Sequence, residues 1–128
     1  MDTPVWSYAF RRQKPVDGPE VRKLRTLLEQ EEEIFLMGII LMEILQGVKD
    51  RLLVQRLKRS LSIFPLLEPS RDDYTYAAEI RNTCVSKGVQ ASTIDFLIAA
   101  MAIRSNALLL TSDKDFLHMT PMIPLKIC

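Results

Sequence analysis

The sequence holds one histidine, His118, and two cysteines, Cys84 and Cys128, among its 128 residues. A single histidine excludes a zinc site built on several of them, and a Ser-His-Asp triad would have to use His118. Two cysteines, one inside a helical pattern and one at the last position, make no disulfide framework and fit reduced thiols in a cytosolic protein. Long apolar runs are also missing. The longest, Ile34 to Met42, is far too short to span a bilayer and ends at Glu43. The N-terminus has no basic stretch followed by an apolar core, so no signal peptide is expected. Net charge is +1, which gives no global field for a nucleic acid, and such a role would have to rest on local patches. No repeat, low-complexity tract or linker divides the chain, and its length suits one domain over 1–128.

What is present is a pattern of short apolar strands and helices, clearest from Thr93 to Phe116. Ile94, Leu97, Ile98, Met101 and Ile103 recur at helical spacing with Ala99, Ala100 and Ala102 between them, so this helix is apolar on nearly all sides and should be buried. Asp95 sits in its first turn and Asn106 ends it. Leu108 to Thr111 then reads as a strand covered on both faces, followed at once by Asp113 and Asp115. A buried helix carrying one acid beside a buried strand releasing two more points to carboxylates gathered at one edge of a sheet.

Taken in order, Met1 to Thr3 leaves room only for the stub of a strand. Thr3 and Pro4 form a helix start that predicts a short helix over Val5 to Arg11. A proline- and glycine-bearing loop reaches Pro19, and Val21, Leu24, Leu27 and Leu28 give the next helix one apolar face. Ile34 to Met37 reads as a second buried strand, and Gly38 lets the chain turn. Ile39 to Gln46 makes a helix stopped by Gly47, with Glu43 embedded among Ile40, Met42, Ile44 and Leu45. Asp50 begins a helix through about Ser60, with Leu53, Val54, Leu57 and Leu61 inward and Arg51, Arg56, Lys58 and Arg59 outward. Ile63 to Leu67, interrupted by Pro65, belongs at a sheet edge. Ser70 to Asp73 starts a long helix to Lys87, stopped by Gly88. The pattern closes with a helical turn through His118 and a strand over Ile123 to Ile127. Strands alternating with helices call for a mostly parallel sheet with helices on both faces and a site outside the carboxyl ends of the strands.

Singly, the acids have ordinary explanations: Asp2 as a turn residue, Asp95 paired with Ser92 at a helix start, Asp113 as a cap. Glu43 is harder to explain away, because a glutamate inside an apolar helix is rarely buried unless paired or bound to a metal. Together, Asp2 and Asp113 at strand ends, Asp95 in a first helical turn and Glu43 one turn after the second strand can converge on one cleft. Carboxylates crowded in this way repel. With no second histidine to help, the natural neutraliser is a hard divalent cation, Mg²⁺ or Mn²⁺, on oxygen ligands. Such a site fits phosphodiester hydrolysis.

These residues resemble those of the PIN-domain nucleases and, within them, the VapC-type toxins of toxin–antitoxin pairs. The matching pieces are Asp2-Thr3 with Val5-Trp6, Glu43 to Gly47, Asp95 to Ala100, and Thr111 to Phe116, with Tyr76 to Ala78 and Lys87-Gly88 between them. Only Met1 precedes Asp2, where the family carries several apolar residues, so a first strand cut short is expected, by nature or by a misplaced start. Pro4 stands where the family more often has a small polar residue. The resemblance implies a three-layer α/β/α fold with a mostly parallel central sheet of about five strands. It also implies a Mg²⁺-dependent endoribonuclease in the cytoplasm of a bacterium or archaeon, with Mn²⁺ able to substitute. Such proteins are inhibited by a cognate antitoxin and usually dimeric. By the same resemblance Asp2, Glu43, Asp95 and Asp113 are the catalytic, metal-holding acids, Thr111 supports them and Asp115 is accessory. For the RNA backbone the local cations nominated are Arg11, Arg12 and Lys14, in the first helix and loop beside Asp2, with Arg51 as a secondary candidate. The alternative is a catalytically silent PIN-like binding module. A receiver-like signalling domain is disfavoured, because Leu66 to Pro69 offers no phospho-accepting aspartate after the third strand.

Overall fold

The computed structural model describes residues 5–8, 34–111 and 113–127. Among these residues four strands, β1 Val5–Tyr8, β2 Ile34–Met37, β3 Leu66–Leu67 and β4 Ala107–Leu110, form one sheet in the order β3-β2-β1-β4. Every pairing of these strands is parallel: Trp6 stands opposite Ile34 and Leu108, and Leu36 opposite Leu66. Five described helices accompany them: α1 Gly38–Gln46, α2 Arg51–Leu61, α3 Arg71–Ser86, α4 Thr93–Arg104 and α5 Lys114–Met119. The parallel α/β architecture is the one anticipated.

Three expectations change. Val5–Tyr8 is a strand rather than the start of a helix, and it lies between β2 and β4. The Thr-Pro start was a local signal only. Val5, Trp6 and Tyr8 are strand-favouring residue types, and pairing on both edges satisfies the backbone better than one short helix would. This strand follows Asp2 in sequence, so its carboxyl end is at Tyr8 and not at Asp2. Asp2 itself, with the helix sought over Val21 to Leu28, lies outside the described residues. Next, β3 is two residues long, because Pro65 has no N–H to give, although its carbonyl accepts from Leu36 N–H at 3.0 Å. Last, no strand forms over Ile123 to Ile127. A single parallel bridge joins Ile127 to Leu109, and Leu109 N–H donates to the Lys126 carbonyl at 2.9 Å, while Pro124 interrupts the run.

The helices start and stop for readable reasons. Ser70 and Asp73 make a reciprocal capping box at the start of α3. Gly88, at φ 82°, ends that helix in a Schellman turn: Gly88 N–H bonds the Val85 carbonyl and Val89 N–H the Cys84 carbonyl. Asn106, at φ 53°, does the corresponding work after α4. The core is dominated by α4, whose Ile98, Ala99, Ala100, Met101 and Ala102 are fully or almost fully buried, against Leu36, Met37, Leu109 and Leu110 of the sheet. Burying Ile98 and Met101 alone contributes about 1.5–3 kcal/mol each. The alanines let the helix axis approach the sheet closely. Gly38 has a related use: a Cβ there would stand 2.6 Å from a Glu68 carboxylate oxygen.

Candidate metal centre

Chain direction decides where the acids meet. Only Ser105 and Asn106 separate α4 from β4, so the helix must run back against the strand. Twelve helical residues cover about 18 Å, close to the rise of β4 with the residues after it. The first turn of α4, with Asp95, therefore lies at the carboxyl end of β4, where the chain delivers Asp113 and Asp115.

Caps fix both partners of this meeting. Ser92 Oγ accepts the Asp95 N–H at 3.1 Å and opens α4. After β4, Thr111 Oγ1 accepts the Asp113 N–H at 3.1 Å. Asp113 then caps α5, its Oδ1 accepting the Asp115 N–H at 2.9 Å. As a result Asp95, Asp113 and Asp115 each place a carboxylate oxygen within 4.8 Å of the other two, with Asp95 buried and the other two half-buried. At that separation two like charges repel by roughly 3 kcal/mol at an effective dielectric constant near 20. A hard cation would offset that cost.

The acids nominated on sequence grounds divide clearly. Asp95 and Asp113 come together as expected, Thr111 supports them through the Asp113 backbone, and Asp115, expected as an accessory, is a full member of the group. Glu43 does not belong to that group. It is half-buried on α1, and its Oε1 is sealed from solvent with no hydrogen-bond partner among the described residues. Leaving a carboxylate oxygen in this state is expensive. The orphaned oxygen and the oxygen-only donor set of the three aspartates both suit a hard divalent ion, so the residues present fit one. Asp2, Arg11, Arg12 and Lys14 lie outside the described residues, and Arg51 is exposed in the first turn of α2. Surface depressions of about 310, 290 and 280 Å³ lie elsewhere: against Arg104, between α1 and α2, and between α3 and α4. For a hard cation the donor set is the better marker than an apolar hollow.

One ionic cluster was not anticipated from the sequence. Asp73, 8 % exposed, accepts from Ser70 N–H at 2.8 Å and from Arg104 Nη1 at 2.8 Å, and Arg104 also reaches Asp72 at 3.5 Å. Burial pushes the Asp73 carboxyl up, but the Ser70 backbone bond, the Arg104 and Ser70 side-chain bonds and the Arg104 charge together hold it below its ordinary value. Asp73 in turn raises Arg104 through that hydrogen bond. The Ser70-x-x-Asp73 spacing was visible; the partner 31 residues away was not. This clamp ties the far end of α4 to α3, about 14 Å from Asp95 along the helix.

Parallel strands with acids assembled beyond the carboxyl edge of the sheet are the arrangement the sequence called for, and the PIN-domain family model matches residues 1–120. The chain belongs to the PIN-domain family. Its relatives include a VapC ribonuclease of Mycobacterium bovis and ribonuclease VapC11 of Mycobacterium tuberculosis. Each is 35% identical over 118 residues, covering 91% of this chain and 87% of the relative. Among solved structures, VapBC2 of Rickettsia felis bound to a DNA fragment from its promoter shares the fold. Its TM-score is 0.75 at 21% identity, and the match covers 97% of each chain. No described helix is long and apolar enough to cross a membrane.

Proposed function

We propose that the protein is a Mg²⁺- or Mn²⁺-dependent endoribonuclease, the toxin of a VapBC-type toxin–antitoxin pair. The observation that carries this reading is the mutual approach of Asp95, Asp113 and Asp115, with the buried Glu43 oxygen in reserve. Asp95 and Asp113 would hold the ion, Asp115 and Glu43 would complete or orient its shell, and Asp2 is nominated as the further acid. When bound, the ion supplies a Lewis acid for a phosphoryl oxygen and makes water a nucleophile at neutral pH. The chain's own contribution is positional: the Ser92 and Asp113 caps and the Thr111 bond hold the carboxylates so that water and phosphate meet in line. Support for RNA as substrate comes from the ribonuclease relatives, and support for an antitoxin from VapBC neighbours of the same fold. An arginine of such a partner could replace the ion as the neutralising charge. The same reading makes the free toxin a cytoplasmic homodimer.

The test is cleavage of a labelled RNA by the purified chain with Mg²⁺, with Mn²⁺ and with chelator. Activity should require metal, and Glu43→Gln and Asp95→Asn should each lose about 10²-fold or more, since small displacements of reacting groups cost that much. Undiminished cutting in chelator would refute the metal mechanism. RNA binding with no cleavage under any condition would restore the silent binding module.

A further inference from the structure

The five cations between residues 49 and 59 are Lys49, Arg51, Arg56, Lys58 and Arg59, all exposed on or just before α2. The one acid among them, Asp50, is occupied as the helix cap, accepting the Leu52 N–H at 2.9 Å. This segment leaves twelve basic against fifteen acidic residues on the rest of the chain, so α2 is the positive pole of an otherwise slightly negative molecule. Among the described residues the ion pairs are those of Arg104, and none involves these five. Lys58 and Arg59, in the last turn, are favoured by the helix dipole, but Lys49 and Arg51 stand at its positive end and oppose it. Helical spacing sets the cations in two adjoining rows, Arg51 with Gln55 and Lys58, and Arg56 with Arg59, while Leu61 is buried on the side toward α1, with Lys58 at its edge. The helix packs against α1, which carries Glu43.

We propose that this outward face of α2, with Lys49, holds the RNA backbone. The identity of the polyanion rests on the ribonuclease reading. A cluster of carboxylates repels phosphates, so a substrate of this kind needs a cationic surface elsewhere on the chain to stay bound. A second copy is a poor occupant, since a two-fold contact through this face would set like charges against each other.

The probe is a fluorescently labelled 12-nucleotide single-stranded RNA, titrated in chelator so that binding is read without cleavage, from 50 to 200 mM salt. Arg51→Gln/Arg56→Gln/Arg59→Gln should lower the slope of log affinity against log salt by about 2, at roughly 0.7 per phosphate contact on a single strand. At 50 mM salt the affinity should fall about tenfold or more. Arg71→Gln/Arg81→Gln/Lys87→Gln removes the same charge from α3 and its C-cap and should leave the slope unchanged. If the α2 variant gives no cooperative melt, the single Arg56→Gln and Arg59→Gln variants replace it, each expected to lower the slope by about 0.7. An unchanged slope, or an equal loss in the α3 control, overturns the assignment. So does a variant that binds RNA normally but no longer co-purifies with a co-expressed partner protein, because exposed Leu52 and Leu53 would then mark a protein interface. Absence of cleavage with the predicted binding intact would refute the nuclease reading and support this one.

Discussion

Asp113→Asn separates two duties that the structure gives one side chain. Asp113 caps α5 through Oδ1 and contributes a charge to the acidic group. Asparagine caps a helix about as well as aspartate, so the first duty survives while the charge is lost. Each of two neighbouring carboxylates within 4.8 Å then loses one repulsive partner. That interaction is worth about 1 kcal/mol per pair at water-like screening and roughly 3 kcal/mol at an effective dielectric constant near 20. With Asp113 and Asp115 half-buried, the lower end applies, and the metal-free variant should be more stable than wild type by about 1–2 kcal/mol. For a chain of this length that raises Tm by about 3–10 °C. Mg²⁺ at a hundredfold excess over its Kd should stabilise wild type by about 2.7 kcal/mol, and the variant much less. Thermal melts with and without Mg²⁺ should therefore reverse the order of the two proteins. Asp113→Ala, which loses the cap as well, should fall below Asp113→Asn by about 1 kcal/mol in both conditions. A variant that melts below wild type without metal, or two proteins that respond to Mg²⁺ alike, would refute the argument.

Two further outcomes follow from the packing. Because the folded pKa of Asp73 is depressed, the stability it lends is fully present above its unfolded value near 4 and is lost as pH falls through the folded value. Asp73→Asn should therefore be destabilised at pH 7 by about 1–3 kcal/mol, the range for a lost cap and a charge-assisted bond, with a deficit that narrows in urea melts as pH falls below the unfolded value; a deficit independent of pH would contradict this account. At Gly38 the obstacle to a side chain is the exposed and flexible Glu68 carboxylate. Gly38→Ala should be near neutral alone, yet stabilise by up to about 1 kcal/mol when Glu68→Ala is also present, and strictly additive effects would show that the close approach does not matter.

Legibility in the sequence followed how local each cause was. The helix ends at Ser70, Gly88, Ser92 and Asn106 were readable because a cap is a property of three or four consecutive residues. The burial of α4 was readable because Ile98, Met101 and the alanines leave it no polar face. Val5–Tyr8 was misread because its state is decided by β2 and β4, some 30 and 100 residues away, and not by the Thr3-Pro4 start beside it. The Asp73–Arg104 clamp escaped for the same reason. In the acidic group, Asp95 and Asp113 could be named from their places beside a helix start and a strand end. Full membership of Asp115 could not, because it depends on the side chain of Asp113 bending the chain into α5. Leu53 was expected inward but is 44 % exposed, since it is Leu57 and Leu61 of α2 that reach the core.

On the proposed function, the order of these dependencies explains why capping and chemistry would share residues. A carboxylate used for an ion must be held in one orientation, and a side chain on a free loop would lose that precision to rotamer entropy. Each acid of the group instead follows a backbone N–H already fixed by a side-chain oxygen: Asp95 by Ser92, Asp113 by Thr111, Asp115 by Asp113. The Thr111 and Asp113 bonds form a chain, so disturbing Thr111 should move two carboxylates at once. Thr111→Val, which keeps the shape and removes the acceptor, should therefore weaken Mg²⁺ binding in calorimetry more than it lowers metal-free stability, where one part-buried hydrogen bond is worth about 1 kcal/mol. Equal affinity for Mg²⁺ in Thr111→Val and wild type would mean that β4 alone, without the hydroxyl, suffices to aim the group.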